Sequence, residues 1–185
     1  MKIFINYRRK DSPGYAIALQ QKLGLIFGKE NVFLDVETLV AGQEVDDKIE
    51  DFLLTCTVFI CLIGEDWLNA KDPMGNRRLE NPNDFVRREI EIALKNKIPF
   101  IPVLINTAQI PKEEWLPDSM KLLSGIQALE IGDRRFESDT NRLIDVLRIH
   151  AKDVDNQKIE KRINDLLFNS SEFRDIFKRA KKSQE

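Results

Sequence analysis

The sequence predicts an α/β fold: a doubly wound, five-stranded parallel sheet covered by helices on both faces. Three observations predict it. Short apolar runs alternate with stretches of helical periodicity over most of the chain. The longest run, Val58-Phe59-Ile60-Cys61-Leu62-Ile63, shows no polar alternation, as expected of a central strand buried on both sides. Five such strand-helix units fit the flavodoxin-like strand order 2-1-3-4-5, in which ligands bind outside the carboxyl ends of the strands. The loops after the first three strands are therefore the places to search for a site.

Ile3-Phe4-Ile5 reads as the first strand, ending in the basic loop Asn6-Tyr7-Arg8-Arg9-Lys10. Asp11-Ser12-Pro13 signals a helix start, with a cap candidate before proline. Ala16, Leu19, Leu23 and Ile26 recur at helical spacing, and Gly28 is the expected stop. Val32-Phe33-Leu34 is the second strand. A loop from Val36 to Gly42 follows, and Val45, Ile49, Phe52 and Leu53 mark a second amphipathic helix. After the third strand, the polar stretch Gly64 to Asn83 is long for a plain connection, which favours a functional role. A helix is expected from about Asp84 to Lys95.

Phe100-Ile101-Pro102-Val103-Leu104 is the fourth strand. Its proline removes a ladder donor, which predicts a place towards the sheet edge or a local irregularity. Thr107 to Leu116 is a proline-containing loop, Ile126 to Ile131 a weak fifth strand, and Glu137 to His150 a last helix. Residues 1–150 thus form one domain. Residues 151–185 read as a charged, C-terminal helical extension of two short amphipathic helices separated near Asn169-Ser170-Ser171.

Of the 185 residues, 42% are hydrophobic, enough for a sizeable core, and 32% are charged. The formal net charge of -2 speaks against a nucleic-acid partner. No stretch has the length of a membrane span, and Met1-Lys2 leads straight into a strand, so a cytoplasmic protein is expected. Cys56 and Cys61 are too few for a disulfide scaffold and lack zinc-type spacing. They read as small buried hydrophobes.

No metal motif, Walker A loop or GxGxxG is present, and His150 is the only histidine, so histidine-dependent nucleophilic catalysis has little support. A helix-end role beside the dipole is expected for His150. Any chemistry must fall to carboxylates, and helix geometry selects one. At about 100° per residue, with Val86 at zero, Ile90, Ala93 and Leu94 fall within about 80° of it. Phe85 and Ile92 fall near 240–260°, and Glu89 near 300°, between the two apolar groups. A carboxylate on a core-facing stripe costs several kcal/mol unless it is paired, protonated or opens into a cleft. Two readings follow: a buried pair with Arg8 or Arg9, or a partly desolvated carboxylate lining a pocket.

Arg8 and Arg9 sit at the ligand edge after the first strand, where guanidinium groups can hold a pyrophosphate or form ordinary surface pairs. Asp35 and Glu37 lie at the same edge after the second strand. They raise the alternative of a phospho-accepting receiver domain, but a receiver carries acids after its first strand, where this chain has arginines. Trp67 and Trp115 are loop aromatics, suited either to stacking on a flat ring or to plugging the core.

Together these residues resemble the Toll/interleukin-1 receptor (TIR) domain family. Ile3-Phe4-Ile5-Asn6-Tyr7-Arg8-Arg9 resembles its first box. Val32-Phe33-Leu34-Asp35-Val36-Glu37, followed by Ala41-Gly42-Gln43-Glu44, resembles its second box and BB loop. Trp67-Leu68 and Asn83-Asp84-Phe85-Val86-Arg87-Arg88-Glu89-Ile90 resemble its bacterial and axonal NAD-cleaving branches.

The resemblance implies an NAD+ glycohydrolase or ADP-ribosyl cyclase with NAD+ as substrate and no cofactor, activated by TIR self-association, in the manner of a bacterial antiviral defence effector. It assigns Glu89 as the catalytic glutamate, with Phe85 where the family motif has tryptophan and Ile110 where the axonal branch has an aromatic. Tyr7, Arg8, Arg9, Asp35, Phe85 and Trp67 are then expected to bind substrate. Glu37, Ala41, Gly42, Gln43 and Glu44 are expected to serve assembly. The competing expectations are a TIR interaction module without turnover and a nucleoside deoxyribosyltransferase-like enzyme.

Overall fold

The computed structural model of the protein describes residues 1–34 and 46–169. Five parallel strands form one sheet: β1 (Ile3–Asn6), β2 (Val32–Leu34), β3 (Val58–Ile63), β4 (Phe100–Ile105) and β5 (Leu129–Ile131). Their order is β2-β1-β3-β4-β5, as the sequence predicts. Among the described residues four α-helices accompany them: α1 (Pro13–Phe27), α2 (Asp46–Leu54), α3 (Phe85–Lys95) and α4 (Phe136–Asn169).

Period-two alternation along the strands splits the core into two layers. On one side Phe4, Phe59, Cys61 and Ile63 pack with Leu53 of α2 and with Ile90 and Ala93 of α3. On the other, Ile3, Ile5, Val58, Ile60 and Leu62 pack with Ala16, Leu19 and Leu23 of α1 and with Leu143, Ile144 and Leu147 of α4. All six residues of β3 are buried, which fits its place at the centre of the sheet. Aromatic stacking reinforces the first layer, with Phe4 and Phe59 centroids 5.4 Å apart and Phe59 and Phe100 centroids 5.0 Å apart.

β4 lies towards the sheet edge, as its proline predicts, between β3 and the edge strand β5. β5 pairs only with Val103, Leu104 and Ile105, so Pro102 lies just before that ladder and has no partner there to lose. Gly28 does end α1, at φ 92°, but the last turn presents Gly24 inward and leaves Ile26 exposed. The crossover from β4 to β5 contains a 3-10 stretch, Asp118–Gly125, that buries Met120 and Leu123. Ser12 occupies the cap position of α1, yet its hydroxyl makes no capping bond.

The region after residue 150 does not begin with a separate helix, because α4 runs unbroken for 34 residues. The expected break at Asn169-Ser170-Ser171 lies at and beyond the end of the described residues. His150 therefore sits inside α4, away from the helix end where a cation would meet the dipole. Cys56 and Cys61 are both buried and free, as the sequence predicts. Among the described residues no helix is long and apolar enough to cross a membrane.

Candidate active site

The loops after β1 and β3 and the first turns of α3 enclose an open cleft of about 530 Å³ at the carboxyl end of the sheet. Tyr7, Arg8, Arg9, Phe85 and Glu89 all line it. Residues far apart in sequence therefore meet where a doubly wound sheet binds ligands. Asp35, Glu37, Ala41, Gly42, Gln43 and Glu44 lie outside the described residues.

Glu89 is 5% exposed, in the middle of the face that α3 turns to the core. Its Oε2 accepts a 2.7 Å hydrogen bond from the Asn6 amide at the end of β1. The same Nδ2 also reaches the Val86 carbonyl at 3.3 Å. The Cys61 thiol of β3 donates to Asn6 Oδ1 at 3.5 Å. Two acceptors on one side and a donor on the other fix which way the Asn6 amide faces. The carboxylate is thereby steered from strands β1 and β3 as well as from its own helix. Burial pushes the Cys61 thiol up, with Arg8 opposing and Glu89 reinforcing, so this group stays a protonated donor.

Arg8 lines the cleft and is held from within the protein. Its side chain is 4% exposed and forms a two-pronged pair with Asp84, both contacts at 3.1 Å. Its Nε donates to the Trp67 carbonyl at 3.0 Å. Asp84 in turn caps α3 by accepting from the Arg87 N–H at 3.1 Å, and accepts from Arg78 Nε at 2.8 Å. One buried carboxylate thus ties the loop after β1, the start of α3 and the loop after β3. Of the two arginines weighed as a partner for Glu89, Arg8 is committed to Asp84.

Trp67 is fully buried and does not line the cleft. Its ring lies beneath the Arg8 guanidinium, 5.8 Å from centroid to Cζ, so the core-plugging reading describes it. Trp115 is likewise absent from the cleft; Lys112 sits 5.0 Å over its ring on the surface. Ile110 packs against the core layer that contains Ile90.

The long stretch after β3 has internal order. Lys71 and Arg77 form an antiparallel bridge, and the Arg78 N–H bonds the Ala70 carbonyl at 2.8 Å. The Asp72 carboxylate closes the turn by accepting from the Met74 and Asn76 N–H groups at 2.9 Å, and Gly75 takes φ 87°. These backbone bonds, that of Asn76 first, hold the Asp72 carboxyl below its usual range. Asp11 ties this stretch to the first loop, accepting from the Gly64 and Asp66 N–H groups at 2.9 Å. A Cβ on Gly64 would lie 2.4 Å from the Asp11 carboxylate, so glycine is required for that approach.

Sequence reasoning missed Asn6, Asp84, Lys71 and Arg78. Asp84 carried a signal, a capping residue immediately before an apolar helix. Asn6 carried a weaker one, a polar residue where a buried strand ends.

Comparison with known proteins bears on the same region. The profile of the TIR domain family matches residues 3–144. The chain is 30% identical over 123 residues to "NAD(+) hydrolase sarm1" of Drosophila melanogaster, covering 65% of this chain and 8% of that protein. It is 28% identical over 123 residues to "NAD(+) hydrolase tir-1" of Caenorhabditis elegans, covering 66% of this chain and 12% of that protein. The chain thus matches only a small part of the length of either relative. Among solved structures, a prokaryotic SEFIR domain matches with a TM-score of 0.48 and 19% identity, over 77% of this chain and 94% of that one. The strand order and a profile match over most of the chain agree: the chain belongs to the TIR domain family.

Proposed function

We propose that this domain cleaves the bond between nicotinamide and ribose in NAD+, with Glu89 as the catalytic carboxylate. The observation that carries the reading is Glu89 itself, a 5% exposed carboxylate on the wall of a cleft, held at 2.7 Å by Asn6. An interaction surface gains nothing from a desolvated acid, whereas glycosidic cleavage does. Two relatives that share this domain are named as NAD(+) hydrolases.

The chemistry needs little covalent machinery. The glycosidic electrons leave with the pyridinium nitrogen, giving neutral nicotinamide and an oxocarbenium-like ribose. A carboxylate beside the ribose stabilises that developing positive charge, and the low-dielectric setting of Glu89 strengthens the effect. Water then adds to the anomeric carbon and loses a proton, giving ADP-ribose. Capture by a group within the molecule gives a cyclic isomer instead. Tyr7, Arg9 and Phe85 line the cleft around this point. Cyclisation, activation by self-association and a role in bacterial antiviral defence belong to the same proposal.

The test is release of free nicotinamide from NAD+ by the full chain at high protein concentration. Glu89→Gln, which keeps the shape and removes the charge, should lower the rate by about 100-fold or more. Retention of wild-type turnover by that variant contradicts the assignment. Absence of release from wild type favours a TIR interaction module.

A further inference from the structure

We infer that the cleft's anion-binding element is Arg78, on the loop after β3, and that it takes the pyrophosphate of a dinucleotide or nucleoside diphosphate. This rests on the cleft being the dinucleotide site proposed above. Arg8 and Arg9 are the obvious candidates from sequence, but Arg8 is nearly buried and held by Asp84 and the Trp67 carbonyl. Arg78 is placed differently. Its side chain is 45% exposed and lines the cleft, while its Nε is fastened to buried Asp84 at 2.8 Å. Among the described residues its two terminal nitrogens have no other partner, so a fork of donors remains for a ligand.

Three further observations point to an anion. Asp84 lies between two arginines, so the cluster of Arg8, Asp84 and Arg78 keeps a net positive charge. Among the described residues, five cationic and three anionic side chains line the cleft, on a chain whose overall charge is negative. The loop is also prebuilt: Ala70 and Lys71 pair with Arg78 and Arg77, which sets Lys71 on the same wall as Arg78. An arginine already oriented by a buried partner loses less side-chain freedom on binding than a mobile one.

Arg78 and Glu89 line the same cleft, so a ligand held by its phosphate at Arg78 stays within the cavity that Glu89 borders.

Binding of ADP and of adenosine to the full chain, measured by calorimetry, tests this without requiring turnover. Wild type should bind ADP at least tenfold more tightly than adenosine. Arg78→Gln should reduce that preference about tenfold, the scale of one charge-assisted hydrogen bond at a half-open site. Arg78→Lys, which keeps a cation beside Asp84 but loses the fork, should fall between. An unfolding temperature near wild type in both variants confirms that the cluster still holds α3. Equal preference in wild type and Arg78→Gln overturns the inference, as does a wild type that does not distinguish ADP from adenosine. Either result stands apart from the nicotinamide assay, which tests Glu89.

Discussion

Asn6 and Asp84 carry most of the organisation of the cleft, and each works by meeting a residue remote in sequence. Asn6 aims Glu89 from 83 positions away, and Arg8 finds Asp84 across 76. The Arg8–Asp84 pair is desolvated on both sides, so removing one partner leaves a charge that cannot be hydrated. Arg8→Ala should cost about 3 kcal/mol in urea unfolding, softened by the second contact from Arg78. A cost within experimental error would show that the pair is no strut.

The cysteines give a second residue-level expectation. Burial raises both thiols above their ordinary value of 9.0, Cys56 to about 11. The unfolded chain gives up these protons first as pH rises. Their contribution to stability is therefore complete below about pH 9 and is lost above it. Near neutral pH a thiol reagent should label the folded protein far more slowly than the urea-unfolded protein. Equal rates would contradict the burial. At this scale the sequence was partly legible: helical angle marked Glu89, because periodicity is a local property. The partners of Glu89 and Arg8 were not, since nothing local records which strand end faces which helix.

At the scale of elements, the βα alternation was readable because each strand and helix buries an apolar stripe of its own period. The two-layer split of Phe4 against Ile3 and Ile5 follows from that alternation, although β5 starts at Leu129 and not at the expected Ile126. Tertiary context decides the rest. Pro102 is tolerated inside the sheet because the β5 ladder begins only at Val103, opposite Leu129. The hairpin-like pairing of Lys71 with Arg77 was hidden within a polar stretch, where no hydrophobic period exists to read. The loops are nonetheless tightly joined. Gly64→Ala would push the Asp11 carboxylate off two backbone N–H groups and should cost about 2 kcal/mol in thermal unfolding. A neutral effect would mean that Asp11 is not the tie between the two loops.

For the whole molecule, the sheet brings its loops together at one edge, and the cleft opens where the sequence predicts a ligand edge. The sequence did not anticipate that α4 continues past residue 150. Among the described side chains, the last that α4 buries in the core is Leu147, and Ile149 is 60% exposed. A chain ending at Lys152 keeps all of these contacts and should fold with stability within about 1 kcal/mol of the full chain. A much larger loss would place part of the core beyond that residue.

The measurement that tests the account most directly is nicotinamide release from NAD+ by wild type and Glu89→Gln, at matched concentration and with both shown to be folded. The account predicts release by wild type and a loss of about 100-fold or more in the variant. Equal rates, or a wild type that leaves NAD+ intact, would contradict it.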